Sequence, residues 1–372
     1  MKVYQAIHKY RKHIPLFERK YGVTDDLDFE TLRRLVVKDG YASTYILQPA
    51  LDDNPEEVFY TVWDYERLQF LWAKERCLKS RDLNEIKLAQ IEEYDPDVFY
   101  NMSAVYDDGF INRLGKRRNR KDIYWNGIIE SEPRTFSEYD GQLSLHRPYI
   151  EYWSRMGLKA LELQPGIPET WSMLDAKQRS IDVLFYGQYL DGMFDNRNSL
   201  IVDLLRYKQE SGRNVQIHLD YTERRPAIFQ IPKLPWTLVR LPIVTFPPAI
   251  VRNESMSPLY GDNLYGAISQ ARIVVNAYTD DNLEFKSNMR LFEAIGLGAF
   301  LISEAGTYPD GFEPGVDFYT YRSSGELVDQ IERVLGDWPA HAQMAAATQQ
   351  KISRLYGKER QWKDFSGFVE SL

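Results

Sequence analysis

Residues 288–303 decide the fold, and they read NMRLFEAIGLGAFLIS. The first half places apolar residues at helical spacing, with Leu291 and Ile295 on one face. Gly296 and Gly298 allow the close turn that ends a helix, and the apolar run after them is typical of a buried strand. The stretch therefore predicts an amphipathic helix that leads directly into a strand of a parallel sheet.

Polar residues cluster in the first turns of this predicted helix, namely Asn288, Arg290 and Glu293. A carboxylate at the position of Glu293 can accept hydrogen bonds from both hydroxyls of a ribose, and an arginine one turn earlier can bind a diphosphate. The amino end of a helix adds backbone N–H donors and a positive potential. We therefore expect a nucleotide to bind here.

Composition limits the classes of protein that fit. A chain of 372 residues with 44% apolar residues can bury two cores, so two domains are expected. A net charge of −8 argues against nucleic acid as the main partner. The single cysteine, Cys77, excludes a disulfide framework and favours a reducing, cytoplasmic compartment. No signal-peptide core or apolar run of roughly 20 residues is present, so we expect a soluble or peripheral protein.

Short apolar runs alternate with longer amphipathic segments, which is typical of βαβ units. In the first half, the predicted strands are 2–7, 42–47, 58–62, 97–100, 122–125, 141–145 and 159–163, and the predicted helices are 29–38, 65–78 and 83–93. In the second half, the predicted strands are 181–186, 215–219, 237–241, 272–276 and 299–303, and the predicted helices are 197–211, 259–270, 325–335, 340–356 and 361–372.

A domain boundary is predicted where regular structure breaks. Residues 163–168 read LQPGIP, and a charged segment then leads into a new strand. We predict a first domain over 1–168, a second over 178–350 and a final helix over 351–372.

The second half resembles the C-terminal domain of glycosyltransferases with the GT-B fold, and within them the CgeB-like, group 1 type branch. The resemblance rests on five segments that follow the order of the family: 258–265, 271–276, 288–303, 312–319 and 326–327. It covers the chain from about 181 to 336, whereas the first half matches only in layout.

This resemblance implies an α/β protein with two Rossmann-like domains that face a central cleft, and C-terminal helices that cross back to the first domain. It implies a glycosyltransferase that takes a sugar from a nucleotide-activated donor, held by the second domain, to a glycan or lipid-linked acceptor on the first. The implied setting is bacterial surface polysaccharide biosynthesis. The alternatives are a sugar-nucleotide 2-epimerase of the same fold and a noncatalytic sugar-nucleotide-binding protein.

Residues that follow predicted strands are the further candidates, because ligands bind beyond the carboxyl ends of parallel strands. Gly187 is expected to turn backbone N–H groups toward a phosphate. His218 and Asp220 share one strand face, where Asp220 could be a nucleophile or base and His218 a proton carrier. The alternative for this pair is a hydrogen-bonded strand end.

The first domain offers His8 after its first strand, as a base for the acceptor. A solvated basic helix start is the alternative there. Glu130 and His146 follow later predicted strands and are candidates for the catalytic cleft by the same argument.

The resemblance also bears on Glu284. Retaining enzymes of this fold often carry two glutamates with seven residues between them, whereas eight separate Glu284 from Glu293. We expect Glu284 to be either a sugar contact or a surface charge, and the stereochemistry stays open. A donor with an acidic sugar linked to cytidine monophosphate also stays open, with Asp220 as a covalent nucleophile.

No metal or separate cofactor is expected. Asp26 and Asp28, like Asp95 and Asp97, have the Asp-x-Asp spacing of a metal site, but such pairs are common on surfaces. Arg290, the helix N–H groups and Arg272 are expected to stabilise the leaving diphosphate instead.

Residues 113–121, RLGKRRNRK, form a dense basic patch in an acidic protein. The patch could contact anionic lipid or a lipid-linked acceptor at the inner face of a membrane. A solvated helix end is the favoured alternative, because few apolar residues interrupt the charges.

Overall fold

The computed structural model of the chain describes residues 1–103, 108–115, 119–127, 133–174, 178–190, 194–221, 247–279 and 284–372. Within these ranges the chain forms two parallel sheets, one in each half. The fold class predicted from the sequence, two parallel α/β domains, is confirmed.

The first sheet has six described strands in the order β2-β1-β3-β4-β5-β6, all paired in parallel. Its strands are β1 (Val3–Ile7), β2 (Val58–Val62), β3 (Val98–Met102), β4 (Lys121–Trp125), β5 (Gly141–Ser144) and β6 (Ala160–Glu162). The helices of this half are α1 (His13–Tyr21), α2 (Phe29–Asp39), α3 (Gln48–Leu51), α4 (Glu66–Glu75), α5 (Leu83–Tyr94), α6 (Asp108–Leu114) and α7 (Arg147–Arg155).

The second sheet has five described strands in the order β11-β10-β9-β7-β8, again parallel. Its strands are β7 (Ile181–Tyr189), β8 (Val215–Tyr221), β9 (Ala271–Asn276), β10 (Phe300–Glu304) and β11 (Tyr319–Tyr321). The helices of this half are α8 (Asp195–Ser211), α9 (Ala249–Glu254), α10 (Gly261–Gln270), α11 (Met289–Gly296), α12 (Ser324–Gly336), α13 (Trp338–Leu355) and α14 (Lys358–Glu370).

One predicted strand, 42–47, is wrong. Residues 41–45 form turns, and Ala42 has a left-handed backbone with a φ of 59°. The segment is apolar because it is buried against β1, where Gln5 Nε2 donates to Tyr45 O over 2.8 Å and Leu47 N donates to Gln5 Oε1 over 3.1 Å. The predicted strand 237–241 lies outside the described residues.

Helix α14 leaves the second half of the chain and packs into the core of the first. Phe365 is 0% exposed, and its ring centroid lies 5.0 Å from that of Tyr100 on β3. At the start of the helix, buried Lys358 donates from Nζ to Ile46 O over 2.7 Å. Helix α14 therefore contributes part of the hydrophobic core of the first half.

The carboxyl ends of the two sheets face each other across a cleft. Direct bonds join the halves beside it: Tyr265 Oη on α10 donates to Gly40 O over 2.8 Å, and Lys12 Nζ lies 2.6 Å from Asp220 Oδ1. Among the described helices, none is both long and apolar enough to cross a membrane.

Candidate active site

Helix α11 presents the polar residues of the opening sequence motif to the cleft. Asn288 caps the helix, because its Oδ1 accepts from Leu291 N at 3.3 Å, and its Nδ2 donates to Asn276 Oδ1 at 3.0 Å. One turn later, Glu293 is only 3% exposed and accepts a 2.6 Å hydrogen bond from Tyr186 Oη. Burial raises the pKa of Glu293. Its carboxyl group is thus fixed beside the carboxyl half of β7.

Two arginines converge on Gly187, the residue that follows Tyr186 in β7. A Cβ atom at Gly187 would lie 2.5 Å from Arg197 Nη2 and 3.0 Å from Arg290 Nη2. Arg290 is held by the strand ends, because Nη2 donates to Tyr186 O over 2.6 Å and Nη1 to Asn276 Oδ1 over 2.8 Å. Only a residue without a side chain leaves room for both guanidinium groups here.

Arg197 comes from the first turn of α8 and is 8% exposed. Burial, and then the charge of Arg290, lower the pKa of Arg197 to about 10. The sequence interpretation did not include this residue. The signal that could have found it is its place in the first helical turn after the first strand of the second half, where ligands of open sheets bind.

His218 and Asp220, the two candidates on β8, both form hydrogen bonds with neighbouring residues. Asp220 Oδ2 accepts from Tyr260 Oη at 3.0 Å, in addition to the ion pair of Oδ1 with Lys12. His218 Nδ1 lies 2.7 Å from the carbonyl oxygen of Ser257, and burial lowers its pKa. A carbonyl can only accept, so Nδ1 carries the proton of a neutral imidazole.

Three cavities meet in the cleft. The largest, about 880 Å³, lies between residues 8–12 of the first half and residues 219–221 and 255–258 of the second. A second, about 180 Å³, is lined by Gly187, His218, Asp220, Arg290 and Glu293. A third, about 330 Å³, reaches into the first half and is lined by predicted site residues that include His8, Asn288, His146, Arg290 and Glu293.

Two predicted site residues lie apart from this cluster. Arg272 is at the amino end of β9, opposite to the cleft, where its Nη1 is 3.0 Å from Asp182 Oδ1, so the prediction that it stabilises a diphosphate is corrected. Glu284 is exposed, contacts Thr307 Oγ1 at 3.5 Å and lines none of the three cavities. A third candidate, Glu130, lies outside the described residues.

One carboxylate of each Asp-x-Asp pair accepts a hydrogen bond from a backbone N–H group. Asp28 Oδ1 accepts from Thr31 N at 2.6 Å and caps α2, and Asp97 Oδ2 accepts from Lys2 N at 2.8 Å. Among the residues that the structure describes, no group of three or more His, Cys, Asp or Glu side chains could hold a metal ion.

The basic patch 113–121 is only partly described, because 116–118 fall outside the described ranges. Arg120 is 5% exposed, and its Nε donates to Asp122 Oδ1 over 2.8 Å. This residue therefore does not contribute to an exposed basic surface.

Residues 210–366 match a family model described as glycosyl transferase-like. No curated protein matches the chain.

Similar solved structures include HepE from Anabaena in complex with UDP-glucose, with a TM-score of 0.55, 11% identity and 100% of both chains covered. A variant of S. aureus TarM in complex with UDP, fondaparinux and alpha-GlcNAc-glycerol has a TM-score of 0.51 and 9% identity, over 77% of this chain and 59% of TarM. A glycosyltransferase from Rickettsia africae has a TM-score of 0.51 and 8% identity, over 100% of this chain and 98% of the other.

This chain thus spans less than two thirds of the length of TarM. The fold and the family model lead to one conclusion: the chain has the GT-B architecture, and its residues 210–366 are similar to a glycosyl transferase-like family.

Proposed function

We propose that the protein transfers a sugar from a nucleotide-activated donor to a hydroxyl group of a glycan or glycoconjugate. The observation that carries this proposal is the pair of arginines, buried Arg197 and half-buried Arg290, whose Nη2 atoms both lie within 3.0 Å of the position that a Cβ atom at Gly187 would occupy. Two like charges this close repel each other, and a bound diphosphate would offset both charges. Glu293 lies in the same cavity as Gly187 and Arg290, where its carboxyl group can bind the ribose of that nucleotide.

The known structures support a nucleotide sugar as donor. The HepE structure contains UDP-glucose and the TarM structure contains UDP. Both share the architecture of this chain, so uridine nucleotides are the first donors to test.

In the proposed reaction, the acceptor oxygen bonds to the anomeric carbon while the bond from that carbon to the diphosphate oxygen breaks. The electron pair of the broken bond goes to the diphosphate, and the acceptor proton goes to a base. Arg197 and Arg290 would stabilise the developing charge, with roughly 1.5–3 kcal/mol for each charge-assisted hydrogen bond. These two side chains would stabilise the charge of the leaving diphosphate, as a divalent metal ion does in metal-dependent glycosyltransferases. We therefore propose that transfer continues when EDTA removes metal ions.

We propose His8 as the base. Its exposed side chain lines both the 880 Å³ and the 330 Å³ cavities, at the carboxyl end of β1. Asp220 is engaged by Lys12 and Tyr260, and His218 donates to Ser257. His8→Gln should lower kcat at least 100-fold with little effect on nucleotide binding, since general base catalysis contributes about 10²–10⁴-fold. The reverse pattern, with Asp220→Asn inactive and His8→Gln active, would transfer the role to Asp220.

Nucleotide binding is the direct test of the arginine site. Thermal shift and calorimetry with UDP, GDP, dTDP, ADP, CMP and their sugars should identify one base that raises Tm. Arg197→Ala should weaken its binding at least tenfold, whereas Arg206→Ala, an exposed arginine on the same helix, should leave binding unchanged. Glu293→Ala and its control Glu284→Ala form a second matched pair. The proposal fails if no nucleotide binds or if Arg197→Ala binds as tightly as the wild type.

For the biological setting, we propose bacterial surface polysaccharide assembly and membership of the CgeB-like branch, both of which rest on the segments that follow the order of that family. Activity on a lipid-linked acceptor in vesicles, compared with a soluble glycan, would test this setting. Conversion of the donor to its epimer without an acceptor would instead indicate an epimerase.

A further inference from the structure

We propose that Asn276, at the carboxyl end of β9, is a positioning residue: its uncharged side-chain oxygen fixes the guanidinium group of Arg290 and leaves the charge of that group to the diphosphate. This inference rests on the proposed function. Asn276 is 0% exposed and lines none of the three cavities in the cleft. It therefore acts on a nucleotide only through the side chains that it holds.

The neighbours of Asn276 set the orientation of its side-chain amide. Asn288 Oδ1 caps α11, so Asn288 Nδ2 is the group that faces Asn276, at 3.0 Å from Oδ1. Arg290 Nη1 lies 2.8 Å from the same oxygen. Both of these nitrogens can only donate, so the oxygen of Asn276 faces them and its Nδ2 faces Ser303 Oγ at 3.0 Å. The amide is thus a fixed acceptor for Arg290.

Three acceptors among the described residues hold the guanidinium group of Arg290. Nη2 donates to Tyr186 O over 2.6 Å, and Nη1 donates to Ala277 O over 3.2 Å in addition to Asn276 Oδ1. The first two acceptors are backbone carbonyls, whose position is set by the sheet. Only the third belongs to a side chain, so a substitution of Asn276 can release Arg290 and leave the backbone of the site in place.

The lack of charge on this acceptor matters for the diphosphate. Arg290 lies close to Arg197, since both Nη2 atoms lie within 3.0 Å of the position that a Cβ atom at Gly187 would occupy. The two like charges repel each other, so Arg290 needs acceptors that keep it in place. A carboxylate at position 276 would also hold Arg290, but it would offset the charge that the diphosphate needs. An amide oxygen holds the guanidinium group without an opposite charge.

A double-mutant cycle tests this role. Asn276→Ala removes the acceptor, and Arg290→Ala removes the group that it holds. Calorimetry measures the affinity for UDP, or for the diphosphate of the base that binds in the nucleotide panel, in the wild type, the two single variants and the double variant. Asn101→Ala is the matched control, because Asn101 is also 0% exposed and hydrogen-bonded, but lies on β3 of the first half.

We expect each single variant to bind UDP at least tenfold less tightly than the wild type. The double variant should bind within twofold of Arg290→Ala, because Asn276 then has no guanidinium group to hold. Asn101→Ala should lower Tm and keep the affinity within twofold of the wild type. A residue that supports only the fold would reduce affinity by the same factor with and without Arg290. Such multiplied losses, or wild-type affinity of Asn276→Ala, would overturn the inference.

Asn276→Asp keeps the shape of the side chain and decides the question even if Asn276→Ala does not fold. The two carboxylate oxygens can accept from Arg290, Asn288 and the hydroxyl group of Ser303, so this variant should fold. Its affinity for UDP should still fall at least tenfold, because the new carboxylate offsets the charge of Arg290. Wild-type affinity would show that a charged acceptor serves equally well, and the inference would then be wrong.

The same measurements keep the inference separate from the proposed function. If the wild type binds UDP, Arg290→Ala binds it at least tenfold less tightly and both Asn276 variants match the wild type, only the inference is wrong. If no nucleotide binds the wild type, or if Arg290→Ala matches the wild type, the proposed function is wrong as well.

Discussion

Gly187 leaves the space in which two guanidinium groups approach the backbone of β7. A methyl group at this position would collide with Arg197 and Arg290, but only with the ends of their flexible side chains. Gly187 also has a φ of 157°, which alanine rarely adopts, so Gly187→Ala should lower Tm as well as displace the arginines, with about a tenfold loss of nucleotide affinity, or ~1.4 kcal/mol. Calorimetry with the preferred nucleotide checks this outcome. Gly266→Ala in α10 is the control, since a Cβ there meets nothing within 4 Å.

His146 should make stability depend on pH. Its ordinary pKa of 6.5 is lowered to about 4 in the folded protein. Between these two values His146 is protonated in the unfolded chain and neutral in the folded protein. The free energy of unfolding should fall as pH drops through this window, by about 3 kcal/mol at pH 4. Urea titrations at pH 7 and pH 4 should show this loss in the wild type and not in His146→Phe. Equal losses in the two proteins would contradict the prediction.

Sequence reasoning identified the residues that follow strands but not their partners. Gly187, Arg290 and Glu293 were expected in one site, and the structure places them around one cavity. Arg197 was missed because an arginine in a polar helix start resembles an ordinary surface residue. Arg272 was predicted as a diphosphate contact because of its charge. It lies near the start of β9, however, at the end of the sheet where open α/β folds do not bind ligands.

Helix α14 is the element on which the first domain depends most clearly. Phe365→Ala would leave a cavity beside Tyr100 and should lower the free energy of unfolding by about 3–5 kcal/mol. Lys363→Ala, an exposed change on the same helix, should stay within about 0.5 kcal/mol of the wild type. Urea unfolding followed by circular dichroism compares the two variants, and similar losses would mean that the helix is held by something other than its apolar face.

Elements could be predicted from the sequence where the periodicity of the apolar residues and the length of the segment indicated the same type of structure. Strand β7 and helix α8 were both predicted within a few residues of their observed ends. The apolar composition of segment 42–47 predicts a strand, but the segment is apolar because it is buried and not because it pairs in the sheet. Sequence alone does not separate these two causes. Its turns are held by hydrogen bonds to the side chain of Gln5, which lies about 40 positions earlier in the chain.

For the whole molecule, the contacts between the two halves differ in strength. Lys12 and Asp220 form a partly exposed ion pair, which contributes about 0–1 kcal/mol and weakens in salt. The Tyr265 bond to Gly40 O is more enclosed, and its loss leaves a carbonyl without that partner. Tyr265→Phe should therefore cost about 1–3 kcal/mol, and Lys12→Met less than about 1 kcal/mol. Unfolding curves at 0.1 and 1 M NaCl measure both, and a larger effect of Lys12→Met would reverse the ranking.

The return of α14 to the first domain also sets the order of events on the ribosome. The last strand of the first sheet ends at Glu162, but Phe365, which fills its core, follows about 200 residues later. At about 5–20 residues per second, translation of that interval takes roughly 10–40 s. Throughout this time the first domain has all six of its described strands and lacks part of its core, so its apolar surface is open to chaperones. The domain that is synthesised first is the one that must wait for helix α14 before it can finish folding.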